Sequence, residues 1–82
     1  MGETQVSIYS KHNCMQCVMV KKFLDNNSVN YDVYNVEEDE GALGLVKSHG
    51  FNGVPVVMAV GVEPFQGFNP DKLEEVVTLH GA

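Results

Sequence analysis

The sequence predicts an α/β fold in which a four-stranded mixed sheet is flanked by three helices, in the order β-α-β-α-β-β-α. Short runs of β-branched and aromatic residues alternate with stretches of helical periodicity, which indicates strands separated by helices. The first two strands are joined through a helix and should run parallel, whereas the last two are joined at Gly61 and should run antiparallel. The 82 residues are expected to form one domain, 1–82.

The first half of the chain predicts a strand, a helix and a second strand. Gln5–Ser10 is apolar at alternate positions and is predicted to be a strand, followed by a polar turn at 11–13. From Cys14 the apolar residues recur at helical spacing. The residues expected on the buried face of this helix are Met19, Val20, Phe23 and Leu24. Turn-forming residues at 25–28 end the helix, and 31–36 is predicted as the second strand.

The acidic run that follows predicts the start of a second helix. Carboxylates favour the positive end of a helix dipole, so Glu37–Glu40 should form a loop and a first helical turn. The helix is expected from about Asp39 to His49, with Leu43 and Val46 buried and Ala42 as a further candidate.

The last third predicts a β-hairpin and a final helix. The apolar run Pro55–Val60 should be a central strand buried on both faces, and Glu63–Gln66 its returning partner. Pro64 cannot donate to a ladder, so the returning strand should lie at a sheet edge. Asn69–Asp71 combines a capping residue, a proline and an acid, which is typical of a helix start. The residues expected on one face of that helix are Leu73, Val76, Val77 and His80.

The charge balance argues against several classes of function. The formal net charge is −6 and no cluster of Lys or Arg could neutralise phosphates, so neither nucleic acid nor an anionic membrane is an expected partner. No apolar run reaches the length of about 18 residues that a spanning helix needs. Residues 1–6 lack the charged and apolar regions of a secretory leader, so a cytoplasmic location is expected.

The two cysteines stand three apart, directly after a strand and at the start of a helix. This pattern is typical of a thioredoxin-like redox site. Cys14 would lie at the helix N-terminus, where free N–H groups and the dipole favour a thiolate, and Lys11 adds positive charge. Cys17 would lie one turn further in and more buried, able to attack a mixed disulfide at Cys14. Cys14 is therefore the predicted nucleophile and Cys17 the resolving thiol. A protonated His12 would add further positive charge beside Cys14, but a solvated His12 is the favoured interpretation.

The step Val54-Pro55 enters the predicted central strand. A cis bond here would bring the Val54 backbone against the cysteines and offer hydrogen-bonding groups to an extended partner segment. The alternative is an ordinary trans proline that begins a strand. Together with the element order and the cysteine pair, this step predicts the minimal thioredoxin-like (glutaredoxin-type) fold.

Three segments resemble the NrdH-type redoxins: Tyr9–Cys17 (YSKHNCMQC), Gly53–Val57 (GVPVV) and Phe65–Asp71 (FQGFNPD). These proteins are similar to glutaredoxins in sequence and to thioredoxin in activity. The resemblance implies a monomeric dithiol reductant without a bound cofactor, recharged by thioredoxin reductase with NADPH. It would supply electrons to the large subunit of class Ib ribonucleotide reductase. The residues that would contact partners are Lys11, Met15, Gln16, Val54, Pro55, Gly67 and Phe68.

The chain departs from related patterns at several positions. The redoxins commonly have proline at position 12 and often Arg or Lys at position 69, where this chain has His12 and Asn69. Glutaredoxins proper are suggested by Pro-Tyr between the cysteines, a Thr before the cis proline and a Gly-Gly-Asp element, none of which occurs here, so glutathione binding is not expected. Phe68 either fills part of the groove where glutathione would lie or packs under the last helix.

The sequence leaves several other functions open. A closed zinc site needs four ligands, whereas one C-x-x-C supplies two, with His12 and His49 as the remaining candidates. An iron–sulfur cluster shared between two chains is a variant of that alternative. A glutathione-dependent glutaredoxin and a redox-active adaptor that docks without turnover are the others.

Overall fold

In the computed structural model, which describes residues 5–81, the predicted elements follow one another in the predicted order. They are β1 (Val6–Ser10), α1 (Met15–Asn26), β2 (Asp32–Asn35), α2 (Glu40–Ser48), β3 (Val56–Ala59), β4 (Val62–Gln66) and α3 (Pro70–His80). The sheet order is β2-β1-β3-β4. Strand β1 runs parallel to β2 and antiparallel to β3, and β3 runs antiparallel to β4, so the mixed thioredoxin-like sheet is confirmed. Residues 1–4, which carry most of the segment examined for a secretory leader, lie outside the described residues.

The sheet is covered by helices on both faces, because successive side chains of a strand point to opposite sides. On β1, Ile8 packs with residues of α1 and α3, whereas Tyr9 packs with residues of α2. The larger of the two core clusters contains Val6, Ile8, Val20, Leu24, Val29, Val57, Val62, Phe65, Leu73 and Val76. The smaller contains Tyr9, Ala42, Val46 and Val56. Packing on the sheet therefore fixes the position of α1 relative to the carboxyl end of β1.

Three predictions of burial were wrong or incomplete. Met19 is 41% exposed, because the buried face of α1 runs through Cys17, Val20 and Leu24 instead. Val60 lies outside β3 and is 62% exposed, so only the first half of the predicted central strand is buried on both faces. On α2 it is Ala42 and Val46 that are buried, and Leu43 is half-buried.

Each helix begins at a residue whose side chain accepts a hydrogen bond from the first turn. The Asp39 carboxylate accepts from the Ala42 amide at 3.1 Å, and the Asn69 side chain accepts from the Lys72 amide at 3.2 Å. The predicted cap at Asn69 is thus confirmed, and Cys14 caps α1 in the same way.

Among residues 5–81, no helix has the length and apolar character needed to cross a bilayer.

Tyr31 closes the connection between α1 and β2. Its hydroxyl donates to the Asp25 carboxylate at 2.7 Å. Burial of the ring, followed by this hydrogen bond and by the negative charge of Asp25, raises the pKa of Tyr31 to about 12.

Tyr9 stacks on Tyr34 with ring centroids 5.3 Å apart, and burial is the main cause that raises the pKa of Tyr9.

Candidate active site

The cysteine pair is positioned by a tight turn between β1 and α1. Strand β1 ends at Ser10, and the chain reverses at Asn13, whose φ of 58° lies in the left-handed region that asparagine tolerates better than most residues. Cys14 then follows with extended backbone as the residue that caps α1. The strand–turn–helix arrangement predicted from the sequence is therefore what places Cys14 at the helix N-terminus.

Cys14 and Cys17 form a disulfide with Cα atoms 5.2 Å apart. The Cys17 amide donates to the Cys14 sulfur at 3.2 Å, and the Val18 amide donates to the Cys14 carbonyl at 3.2 Å. Cys14 is half-buried, whereas Cys17 is only 1% exposed. One sulfur of the pair is thus open to an incoming group and sits at a backbone N–H donor, while the other is shielded beneath it.

A groove of about 530 Å³ lies over the cysteines. Its lining consists of the pair itself with Lys11, Asn13, Met15, Val18 and Lys21. Met15 is 74% exposed, and Val18 is also exposed, so part of the surface beside the accessible sulfur is apolar. The sequence placed Lys11 and Met15 at the site, but it gave no indication of Val18 or Lys21.

The Val54–Pro55 peptide bond is cis, as predicted. Pro55 is buried, and Val54 is half-buried against the smaller core cluster. Val54 also lines a cavity of about 460 Å³ that shares Lys11 with the groove over the cysteines. Lys11 therefore lines both the cavity beside Val54 and the groove over the cysteines.

Gly67 lies close to both Pro55 and Gln16, one of the two residues between the cysteines. Its amide donates to the Pro55 carbonyl at 2.8 Å, and its φ is 85°. A Cβ added there would lie 3.5 Å from the Gln16 side-chain oxygen. The exposed Gln16 side chain thus lies over Gly67. The structure therefore brings together Gln16, Pro55 and Gly67, three of the residues predicted to contact partners.

Phe68 packs against the larger core cluster and against α1. Its ring makes an edge-on contact with Phe23 of α1, with centroids 6.1 Å apart, and it packs against the larger core cluster. It is half-buried, so only part of the ring faces solvent.

His12 is exposed, as predicted, but it is not merely solvated. Its ring Nε2 lies 3.1 Å from a Glu38 carboxylate oxygen and 3.3 Å from the Asn35 side-chain nitrogen. The His12 amide donates to the Glu37 carboxylate at 3.1 Å. A protonated Nε2 can donate to Glu38, whereas an unprotonated Nε2 can accept from Asn35. The turn before Cys14 is therefore tied to the turn after β2, a contact that the sequence analysis missed.

Within residues 5–81, no group of three or more His, Cys, Asp or Glu side chains is placed to hold a metal ion. Of the two histidines considered as ligands, His12 contacts Glu38, and His49 Nδ1 lies 2.9 Å from the Leu45 carbonyl oxygen. The alternative of a zinc centre thus finds no ligand set in the described part of the chain.

Comparison with known proteins identifies the family. The model of the glutaredoxin family matches residues 6–63. The glutaredoxin-like protein NrdH of Lactococcus lactis subsp. lactis is 38% identical over 71 residues, which cover 87% of this chain and 97% of that protein. The Salmonella typhimurium NrdH is 32% identical over 78 residues, covering 94% of this chain and 95% of its own.

A solved structure gives the same result. The NrdH-redoxin of Escherichia coli, a glutaredoxin-like protein with a thioredoxin-like activity profile, superposes with a TM-score of 0.82 at 31% identity. The match covers 94% of this chain and 96% of that one. The chain therefore belongs to the glutaredoxin family, among its NrdH-type redoxins, which are thiol–disulfide oxidoreductases that act through a cysteine pair.

Proposed function

We propose that the protein is a dithiol reductant in which Cys14 attacks the substrate and Cys17 releases it. The observation that carries this assignment is the asymmetry of the pair. The Cys14 sulfur is reachable and accepts the Cys17 N–H, which favours negative charge there, whereas the Cys17 sulfur is enclosed. Lys11 lines the same groove and adds a positive charge.

The reaction consists of two thiol–disulfide exchanges. The Cys14 thiolate attacks one sulfur of a substrate disulfide, a bond forms between them, and the other substrate sulfur leaves as a thiolate that takes up a proton. Cys17 then loses its proton and attacks the Cys14 sulfur. The mixed disulfide breaks, and the second substrate sulfur leaves and is protonated. Two electrons pass to the substrate, and the protein ends with the Cys14–Cys17 disulfide.

The remaining predicted residues would hold the partner segment. The Val54 backbone beside Pro55 would pair with an extended strand of the partner. Met15 and Gln16, both exposed, would contact it from the helix side, and Gly67 would let its backbone approach closely because it has no side chain. Phe68 would contribute only the exposed part of its ring.

The electron donor in this proposal is thioredoxin reductase with NADPH, and the acceptor is the large subunit of class Ib ribonucleotide reductase. Support comes from the relatives, which are named NrdH, and from the E. coli redoxin, whose activity profile is thioredoxin-like. We place the reaction in the cytoplasm, where thiols are kept reduced, and we propose that the monomer is the acting form.

A coupled assay tests the proposal. NADPH, thioredoxin reductase and the protein are combined with insulin or class Ib ribonucleotide reductase, and NADPH consumption is followed for wild type and Cys14→Ser. We expect fast consumption only with wild type, and equal rates for the two would refute the electron-carrier function. Cys17→Ser should accumulate a mixed disulfide with the substrate, and its absence would remove Cys17 from the resolving role.

A second function is a glutathione-dependent glutaredoxin, which the match to the glutaredoxin family model favours. The same assay with glutathione and glutathione reductase in place of thioredoxin reductase separates the two. Faster turnover with glutathione would support this second function over the first.

A further inference from the structure

The exposed side of α1 next to Cys14 combines apolar and positive side chains. Met15, Val18 and Met19 are all exposed, and their spacing of three and four residues puts them on one face of the helix. Lys22 continues this face one turn further on, and Lys21 lines the groove over the cysteines. We call the set formed by Met15, Val18, Met19, Lys21 and Lys22 the α1 face.

The charge of this region is opposite to that of the whole chain. The formal net charge is −6, with only five Lys and Arg residues against eleven Asp and Glu. Yet Lys11 and Lys21 line the groove with Cys14, Lys22 follows Lys21 on α1, and none of the described Asp or Glu side chains lines the groove. Within residues 5–81, none of these three lysines forms an ion pair within 4.0 Å.

Three acidic side chains of the described residues contact groups other than these lysines. Asp25, at the end of α1, accepts the Tyr31 hydroxyl, and Glu37 and Glu38 contact His12. Among residues 5–81, the lysine charges beside Cys14 are therefore not neutralised by an ion pair. Unpaired cations around a reactive group attract anionic partners and raise their association rate, above all at low salt.

We propose that the α1 face binds a protein segment that carries Asp or Glu next to its target disulfide. Carboxylates of the segment pair with Lys21 and Lys22, while apolar side chains pack on Val18 and on the flexible thioether chains of Met15 and Met19, which adapt to different shapes. This inference rests on the proposed disulfide reductase function and adds the kind of segment that is preferred. A neutral or basic segment reaches Cys14 without this attraction.

The test uses protein reduced with dithiothreitol, desalted and mixed with substrate, so that no reductase is required. The substrates are bis(2-hydroxyethyl) disulfide and two fluorogenic disulfide peptides that differ only in Glu or Gln beside the cysteines. We expect the Glu peptide to react about tenfold faster than the Gln peptide at low salt. The ratio should approach one at about 1 M salt, where charges are screened within a few ångströms.

Two double variants give a matched comparison, because each removes two positive charges and changes the formal net charge from −6 to −8. Lys21→Gln/Lys22→Gln should lower the Glu-to-Gln rate ratio about fivefold. Lys47→Gln/Lys72→Gln, on α2 and α3, should leave it within about twofold.

Equal rates for the two peptides, or equal losses in the two double variants, would overturn the assignment of the α1 face. If bis(2-hydroxyethyl) disulfide is reduced in that case, the dithiol function stands and only this inference fails. If wild type reduces none of the three substrates, the proposed function fails and this inference with it.

Discussion

Replacing Gly67 with alanine should destabilise the protein because of its backbone conformation. Gly67 has a φ of 85°, which costs a residue with a Cβ about 1–2 kcal/mol. Steric overlap is not the cause, because the added Cβ would lie 3.5 Å from the Gln16 oxygen, an ordinary contact distance. Alanine also restricts the unfolded chain, which offsets part of this cost, so we expect a net loss of about 1 kcal/mol.

Gly44→Ala is the matched control and should have the opposite sign. Gly44 lies inside α2, and apart from its chain neighbours and the adjacent helix backbone no atom of residues 5–81 lies within 4 Å of an added Cβ. Alanine in a helix interior is about 0.5–1 kcal/mol more favourable than glycine. The unfolded-state effect is the same at both positions, so the difference in sign reports the folded backbone alone.

The assay is thermal and urea unfolding of the oxidised proteins at neutral pH. For a domain of this size, 1 kcal/mol corresponds to about 4–8 °C in Tm. The Tm of Gly67→Ala should therefore be lower than that of wild type by about that amount. The Tm of Gly44→Ala should be higher by about half of it or more. The double variant Gly67→Ala/Gln16→Ala should show additive changes. A rescue by Gln16→Ala, or a loss in both glycine variants, would refute the backbone explanation.

Three further predictions concern packing and charge. The Tyr31 pKa of about 12 lies above its ordinary value of 10, so the unfolded chain ionises first and the free energy of unfolding falls as pH rises from 10 to 12. Tyr31→Phe should remove that part of the fall in urea unfolding and the last step of the absorbance titration at 295 nm, and an unchanged titration would contradict the assignment. His12→Ala and Glu38→Gln should couple by less than about 1 kcal/mol in a double-mutant cycle, because the pair is exposed; a coupling near 2 kcal/mol would mean that the network is stronger than its exposure implies. Leu73→Ala, at 0% exposure, should cost about 2–5 kcal/mol in urea unfolding, against about 0.5 kcal/mol or less for Leu79→Ala at 55% exposure, and similar losses would mean that the packing is wrongly described.

The order and topology of the elements were predictable because their signals are local. Pro64 excluded a central position for β4, and Asn69 with Pro70 fixed the start of α3. The position of the cysteine pair was predictable for the same reason, since a strand, a short turn and a helix N-terminus follow each other within a dozen residues.

The contacts of His12 could not be predicted in this way, because they join residues 25 and 26 positions apart. They depend on the register of the sheet, in which Ser10 of β1 lies opposite Asn35 of β2. In parallel strands the two carboxyl ends reach the same edge, so the turn that follows β2 meets the turn that carries His12. Only the pairing of the strands brings these acidic residues to the site.

The wrong prediction at Met19 has a different cause, and it bears on function. Helical periodicity shows which residues share a face, but an apolar residue beside the core stripe looks the same whether it is buried or not. Met15, Val18 and Met19 stay exposed next to the reactive sulfur, where their apolar surface does not contribute to the folded core. Places where a sequence departs from the pattern that would stabilise its fold are expected to serve function. Lys22 lies on the face of α1 that carries the exposed methionines, and Lys21 lines the groove beside it; neither lysine forms an ion pair among residues 5–81. Both departures are explained together if a partner segment covers them during disulfide exchange.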